Sequence, residues 1–435
     1  MTEQLLMNGK LNLVSRRSRH MMRSDLTHFF SSFFRELDAP SKMSRQGFDL
    51  SIGNVCHIEA VEQVLKDALQ FIAQHKVSRL TKYPGTQGYF PLNEKIAALI
   101  KQETGSDVDP EEIVLTNGAL DSLYGLFYTF CNPGDYFFYS LPSFPYWSPA
   151  DKANILSSLV IYKNPFAYSS TYGDIFAEKA RMNDKLKMVI INEPHNPIGK
   201  NLEKKQVYAL RDACQEHGTL PVLDDVYRSF NEGAWIGKHF NLNSLVMVDS
   251  FSKRFGMPGL RLGFIRLPKE YVPYFRASIA NQVVGINMFT ALIGDYVLEQ
   301  ALETSLVSDI AREIKRRQTE LDKELRKLKV SGVVSPLPDG GIYRLLALDG
   351  FLEATGLNIS QVTGLLQKNS VKTVPGDKLF VKGIDLSKCA KVIRLSVGGE
   401  ARPQEAGQCI VRTLEEAYDK NHILLNGNGL LSRHD

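Results

Sequence analysis

Lys253 is flanked by Ser250 and Ser252, and Arg261 follows eight residues later. These side chains suit the capture of a phosphorylated carbonyl compound: a lysine amine condenses with an aldehyde, while hydroxyls and a guanidinium hold a phosphate. Gly256, Pro258, Gly259 and Gly263 share the stretch, so the backbone around the lysine can bend and approach a ligand closely. The apolar run 245–248 predicts a buried strand that residues 249–252 terminate, which puts Lys253 on a turn and not on a solvated helix face. On its own, Ser-x-Ser-Lys is far more often a surface lysine after a strand.

Other residues able to share such a site stand at the ends of predicted strands. Residues 112–116 predict a strand, Asn117 and Gly118 a turn, and 119–130 an apolar helix. That succession offers backbone N–H groups and the positive end of a helix dipole to an anion, as any such junction does. After the strand predicted at 136–141, Pro142 and Pro145 stiffen a loop able to fix Phe144 against a flat ligand; by composition alone Phe144 is core filling. After 186–191, Asn196 sits between His195 and Pro197 with Gly199 behind, a rigid turn that fixes an amide in space.

After 220–223 comes Asp224, a carboxylate that is costly at the end of a buried strand unless paired, and then Tyr227. Read alone, Asp-Asp-Val-Tyr is equally a surface turn. Arg394 lies inside the apolar run 392–397 and there needs an anion. Gly53 closes the alternation of Phe48, Leu50 and Ile52. Tyr83 precedes the break at Pro84 and Gly85, where a tyrosine is commonly just a loop aromatic.

Taken in order, these segments resemble the pyridoxal-phosphate-dependent aminotransferases of classes I and II, the aspartate aminotransferase-like superfamily of fold type I. The resemblance spans residues 48–397 and is strongest at Ser-Phe-Ser-Lys with Pro258, Gly259, Arg261 and Gly263 behind it. It implies that Lys253 holds pyridoxal 5'-phosphate and then serves as general base and acid. Asp224 would keep the ring nitrogen charged, and Asn196 and Tyr227 would share the phenolic oxygen. It also implies a phosphate site of Gly118, Ala119, Leu120, Ser250, Ser252 and Arg261, completed by Tyr83 of a neighbouring subunit, with Phe144 stacked on the ring. Gly53, Asn196 and Arg394 would meet the substrate, Arg394 clamping the α-carboxylate in a bidentate pair. The chain departs from the family pattern at Val55, where proline is usual, and at His195 and Ile198 in the asparagine motif. Ala119 and Leu120 bring no side-chain donor, which leaves more to main-chain amides and the serines.

With 43% hydrophobic and 23% charged residues among 435, the chain is ordinary globular protein in composition. Lys+Arg 52 against Asp+Glu 48 gives a net charge of +4, too little to argue for nucleic acid. Five cysteines without a close pair fit neither a disulfide framework nor a metal site, so a reducing, cytoplasmic setting and no metal are expected. No apolar run approaches about 18 residues, so no membrane helix is expected. Residues 4–23 lack acids and carry five basic residues; a basic N-terminal arm is preferred over a mitochondrial presequence.

Strands and helices alternate over roughly residues 80–310, which predicts an α/β fold with a mostly parallel central sheet. Val61, Leu65, Leu69 and Ile72 mark a helix over 58–75, and Leu92, Ile96, Leu99 and Ile100 another. A third falls at 206–217. Ile310, Ile314, Leu321, Leu325 and Leu328 mark a long helix with Asp322 and Arg326 spaced to pair. Residues 26–37 predict a short helix. The expected division is an arm and part of a small domain at 1–50, a large cofactor domain at 51–311, and a smaller α+β domain at 312–435 with a frayed tail from 426. The expected activity is transfer of an α-amino group between an amino acid and a 2-oxo acid by a homodimer. Another reaction on the same cofactor, such as β-elimination, oxidation or cyclisation, uses the same lysine and aspartate. A non-catalytic ligand-sensing module is the third reading.

Overall fold

The computed structural model describes residues 47–381 and 383–428. The predicted helix at 26–37, the basic segment 4–23 and the end of the tail lie outside the described residues. The chain enters through a short strand β1 (Phe48–Asp49), then helices α1 (Glu59–His75) and α2 (Phe90–Thr104). Next come β2 (Ile113–Thr116), α3 (Ala119–Phe130), β3 (Tyr136–Leu141), α4 (Trp147–Ala153), β4 (Leu156–Ile161), α5 (Tyr168–Met182) and β5 (Leu186–Asn192). They are followed by α6 (Lys204–His217), β6 (Leu220–Asp224), β7 (Val246–Ser250), the one-turn helix α7 (Phe251–Arg254) and β8 (Gly263–Arg266).

Strands β2 to β8 form one sheet in the order β2-β8-β7-β6-β5-β3-β4. Its centre, β7-β6-β5-β3-β4, is parallel, and β8 runs antiparallel to both β7 and β2. Helices cover the sheet, so β7 is buried along its whole length and can be apolar on both faces, where a half-exposed strand would alternate. This is the α/β, mostly parallel architecture of fold type I, and the functional loops leave the carboxyl ends of its strands.

Three further helices, α8 (Val272–Val283), α9 (Met288–Glu303) and α10 (Leu306–Leu325), lead to a second region. It contains β9 (Tyr343–Ala347), α11 (Asp349–Thr355), α12 (Ile359–Lys368), β10 (Val371–Lys372), β11 (Val374–Pro375), β12 (Val392–Ser396) and α13 (Pro403–Asn428). Strands β11, β12 and β9 make an antiparallel sheet, while β10 pairs with β1. The entry segment runs beside β12: Ser396 N donates to Leu50 O (2.8 Å) and Cys56 N to Gly398 O (3.1 Å). That places Gly53 close to Arg394. Arg317 of α10 locks the arrangement, donating to the carbonyls of Gly398 (2.8 Å), Cys56 and His57 (both 3.1 Å).

Several local expectations change. Helix α1 turns Val61, Val64, Ala68 and Ile72 inward, whereas Leu69 is exposed, because each four-residue step overshoots a 3.6-residue turn and rotates outward. Leu328 lies past the end of α10 but still packs on the core. The strand expected through Ile52 stops at Asp49. Lys253 belongs to a helical turn, because Ser250 Oγ accepts from Ser252 N (3.1 Å) and so starts a helix at Phe251.

Candidate active site

Asp224 ends β6, flanked in register by Asn192 of β5 and Val248 of β7. Asn192 ties two loops together: its Nδ2 donates to Asp224 O (3.0 Å) and its Oδ1 accepts from Asn196 N (2.7 Å). The Asn196 amide in turn donates to Tyr227 OH (3.2 Å), and Tyr227 OH donates to Tyr343 OH (3.2 Å). Tyr146 OH donates to Asp224 Oδ2 at 2.5 Å. Asp224 Oδ1 is buried with no hydrogen-bond partner. Burial raises the Asp224 carboxyl to about 6, with the Tyr146 hydrogen bond opposing and Asp249 adding to the rise.

Lys253 donates its amine to the Gly53 carbonyl. Burial pulls this amine below the ordinary lysine range. Ser250 and Ser252 are buried beside it, their hydroxyls 2.9 Å apart. Arg254, the next residue, turns away and pairs with Asp249 and Glu103.

Helix α3 starts at Gly118 with no side-chain cap, which leaves first-turn N–H groups for an anion. Gly118 has φ +92°, and a Cβ there would come 2.7 Å from Arg261 Nη2. Glycine is thus what lets the guanidinium lie against the helix start. Arg261 donates to the carbonyls of Pro258 (3.0 Å) and Asn117 (3.2 Å). At the opposite end, Arg394 donates to Ser51 O (2.9 Å), its guanidinium 4.4 Å from the centre of the Tyr343 ring. Its Nε is buried and unpartnered.

These groups surround one cavity of about 630 Å³. Gly53, Ala119, Leu120, Phe144, Asn196, Asp224, Tyr227, Ser250, Ser252, Lys253, Arg261 and Arg394 all line it. Gly118 sits behind the lining against Arg261. Tyr83 lies outside the cavity of its own chain and is 89% exposed. Sequence reasoning missed Tyr146, Tyr343, Trp147 and Asn192. The stacked aromatics of the Phe144 loop were a signal for Tyr146, but nothing in that loop says which ring reaches Asp224, 78 residues away.

Three polar atoms at the cavity, Asp224 Oδ1, Asn196 Oδ1 and Arg394 Nε, are buried without partners. Each such atom costs about 1–3 kcal/mol, so the cavity is built for a polar ligand that supplies a donor near Asp224 and an acceptor at Arg394. Residues 45–405 match the family described as aminotransferase class I and II. The chain belongs to this family. It is a pyridoxal-phosphate-dependent aminotransferase, acting on amino acid and 2-oxo acid substrates.

Among its relatives, a probable aspartate/prephenate aminotransferase of Aquifex aeolicus is 26% identical over 348 residues, covering 77% of this chain and 84% of the relative. Two solved structures share the fold. One is a single mutant of Thermus thermophilus aspartate aminotransferase (TM-score 0.74, 21% identity, 93% of this chain and 99% of that one). The other is Pyrococcus horikoshii kynurenine aminotransferase (TM-score 0.77, 19% identity, 94% and 99%). The cofactor fits the site: a donor-bearing ring nitrogen matches the orphaned Asp224 oxygen, and a phosphate matches the uncapped helix start beside Arg261 and two serines. Among the described residues there is no cluster of His, Cys, Asp or Glu suited to a metal ion, and no helix long and apolar enough to cross a membrane.

Proposed function

We propose that transamination takes place in the cavity between Lys253, Asp224 and Arg394. The observation that carries this is the Asp224 carboxylate, buried and half unpaired, in the same cavity as a half-buried lysine and a buried arginine. Pyridoxal phosphate supplies an aldehyde for the lysine and a ring that accepts electrons. Asp224 would hold the ring nitrogen protonated, with Tyr146 fixing the other carboxylate oxygen. Asn196 and Tyr227 would hold the phenolic oxygen, and Phe144 would pack against the ring. The helix start at Gly118, Ala119 and Leu120 would bind the phosphate with Ser250, Ser252 and Arg261.

Arg394 clamps the substrate α-carboxylate through the edge that holds its unpartnered Nε, and Gly53 lets the substrate pass close to the main chain. Once free, the Lys253 amine removes the α-proton and returns a proton on the other side of the transfer, work typically worth about 10² to 10⁴ in rate. A homodimer would complete the site, with Tyr83 of the neighbouring subunit reaching the phosphate. Lys378 also lines the cavity and adds a second cation to Arg394, which favours an acidic amino donor, in keeping with relatives named for aspartate.

The test is chemical. Purified protein with pyridoxal phosphate, an amino acid and a 2-oxo acid should yield the matching new amino acid, with aspartate consumed faster than alanine. Borohydride should fix the cofactor on wild type and leave Lys253→Ala unlabelled. Ammonia or pyruvate release without a new amino acid would replace transamination by elimination.

A further inference from the structure

A second cavity, of about 570 Å³, shares no lining residue with the first. It is large enough for a small organic ligand. Three stretches distant in sequence build it: the end of α2 with Glu103, the loop after β6 with Arg228 and Trp235, and the start of α10 with Ser308 and Ala311. Arg228 is its cation, with a side chain only 10% exposed. The guanidinium lies 5.2 Å from the centre of the Trp235 ring, Nε donates to Glu103 Oε2 (3.0 Å) and Nη2 to Glu103 O (2.9 Å). That takes up Nε and Nη2 and leaves Nη1 for a ligand.

Two other lining residues hold buried polar atoms without a partner among the described residues, the Ser229 hydroxyl and the Trp235 indole nitrogen. Indole and guanidinium nitrogens only donate, so the missing partner is an acceptor, and the guanidinium favours one that is anionic. Leu99, Ala301 and Ala311 in the same lining suit an apolar body. We propose that this cavity binds a small carboxylate with an apolar body, its carboxylate on Arg228 and its body against α10, at a site separate from that of the substrates.

The position gives such a ligand a handle on Lys253. Glu103 also pairs with Arg254, the residue after Lys253. A carboxylate on Arg228 lies beside Glu103 and competes with it for one guanidinium, so Glu103 is repelled and Arg254 loses part of its anchor. Occupancy therefore weakens cofactor binding, and the cofactor weakens the carboxylate by the same factor. This coupling, unlike the binding itself, rests on Lys253 being the cofactor's lysine.

The two tryptophans of the chain report on the cavities separately, since Trp147 lines the first and Trp235 the second. In full-length Trp147→Phe, 3-phenylpropanoate, which has no amino or oxo group to exchange, should change Trp235 emission saturably. The uncharged 3-phenylpropanamide should bind about tenfold or more weakly. Ser308→Phe, at an exposed position of α10 outside the first cavity, should abolish the change by filling the second, and Ala311→Phe should do the same. In the loaded enzyme, 3-phenylpropanoate should weaken cofactor retention about fivefold or more, and Ser308→Phe should remove that effect. Unchanged emission, equal binding of the amide, or binding that persists in both filled variants overturns the site. Saturable binding with unchanged cofactor retention overturns the coupling. Failure of the aminotransferase reading would show separately, as wild type that forms no borohydride-reducible adduct while the fluorescence titration stands.

Discussion

Asp224 holds its proton more tightly in the folded chain than in the unfolded one, because burial raises the carboxyl to about 6 from 3.8. The sign of the effect on stability follows. A carboxyl with a raised folded pKa favours the native state when protonated and costs stability once ionised, so the cofactor-free protein should lose stability as pH rises from about 4 through 6. At about 1.4 kcal/mol per pKa unit the full cost is about 3 kcal/mol. Asp224→Asn keeps an acceptor for Tyr146 and removes the charge. It should raise the cofactor-free Tm at pH 8, with the gain fading toward pH 4, yet weaken cofactor binding measured by absorbance after dialysis. Equal retention of cofactor by the variant would deny Asp224 its part in holding the ring. Lys253, Asp224, Asn196 and Arg394 were readable because each belongs to a short motif whose backbone geometry is local. Tyr146 and Tyr343 were not: their partners lie 78 and 116 residues away, and strand order, which the sequence does not spell out, brings them together.

At the scale of elements, the helical turn carrying Lys253 is anchored from behind. Arg254 Nε donates to Asp249 Oδ2 (3.0 Å) at the end of β7, and the same guanidinium pairs with Glu103 at the end of α2. Glu103 also accepts from Arg228 Nε (3.0 Å), joining the loop after β6. Burial opposes ionisation of Glu103, but Arg254 and Arg228 outweigh it and hold the carboxyl below its ordinary range. A buried pair adds little net stability against an apolar substitute, whereas removing one partner strands the other's charge. Arg254→Met should therefore destabilise by about 3–5 kcal/mol, read from denaturant unfolding, and Arg254→Met with Glu103→Gln and Asp249→Asn should recover much of it. A near-neutral single variant would show that the three groups do not act as a unit. Strands β3, β5, β6 and β7 were legible as largely apolar runs, as buried parallel strands are, whereas β4 was not, since Ser157 and Ser158 interrupt it and it is only partly buried. Helix α7 was not, since a one-turn helix has too few residues to show a period and depends on the Ser250 cap.

At the scale of the whole molecule, Tyr83 is exposed in the single chain and absent from its own cavity. It has company: Leu80 and Phe90 are also exposed, as are Val283, Val284 and Phe289 around the junction of α8 and α9. The two stretches adjoin, because a Cβ at Gly285 would fall 2.8 Å from Gly85 O. Apolar side chains gathered at one place on a surface mark an interaction face. A second copy docked there by a two-fold axis would carry each Tyr83 toward the other subunit's site. The consequence can be measured by mixing two crippled parents. Tyr83→Ala should bind cofactor about tenfold or more weakly for want of a hydrogen bond to a charged group, and Lys253→Ala should be inactive. Refolded together, they pair at random, and about half the dimers are hybrids. If Tyr83 serves its neighbour, each hybrid holds one site with both residues intact and one with neither, so activity at limiting cofactor returns to about a quarter of wild type. If Tyr83 serves its own chain, no hybrid contains an intact site and the mixture shows only the parents' sum. Recovery thus reads out at once the dimer, its two-fold geometry and the residue that crosses it.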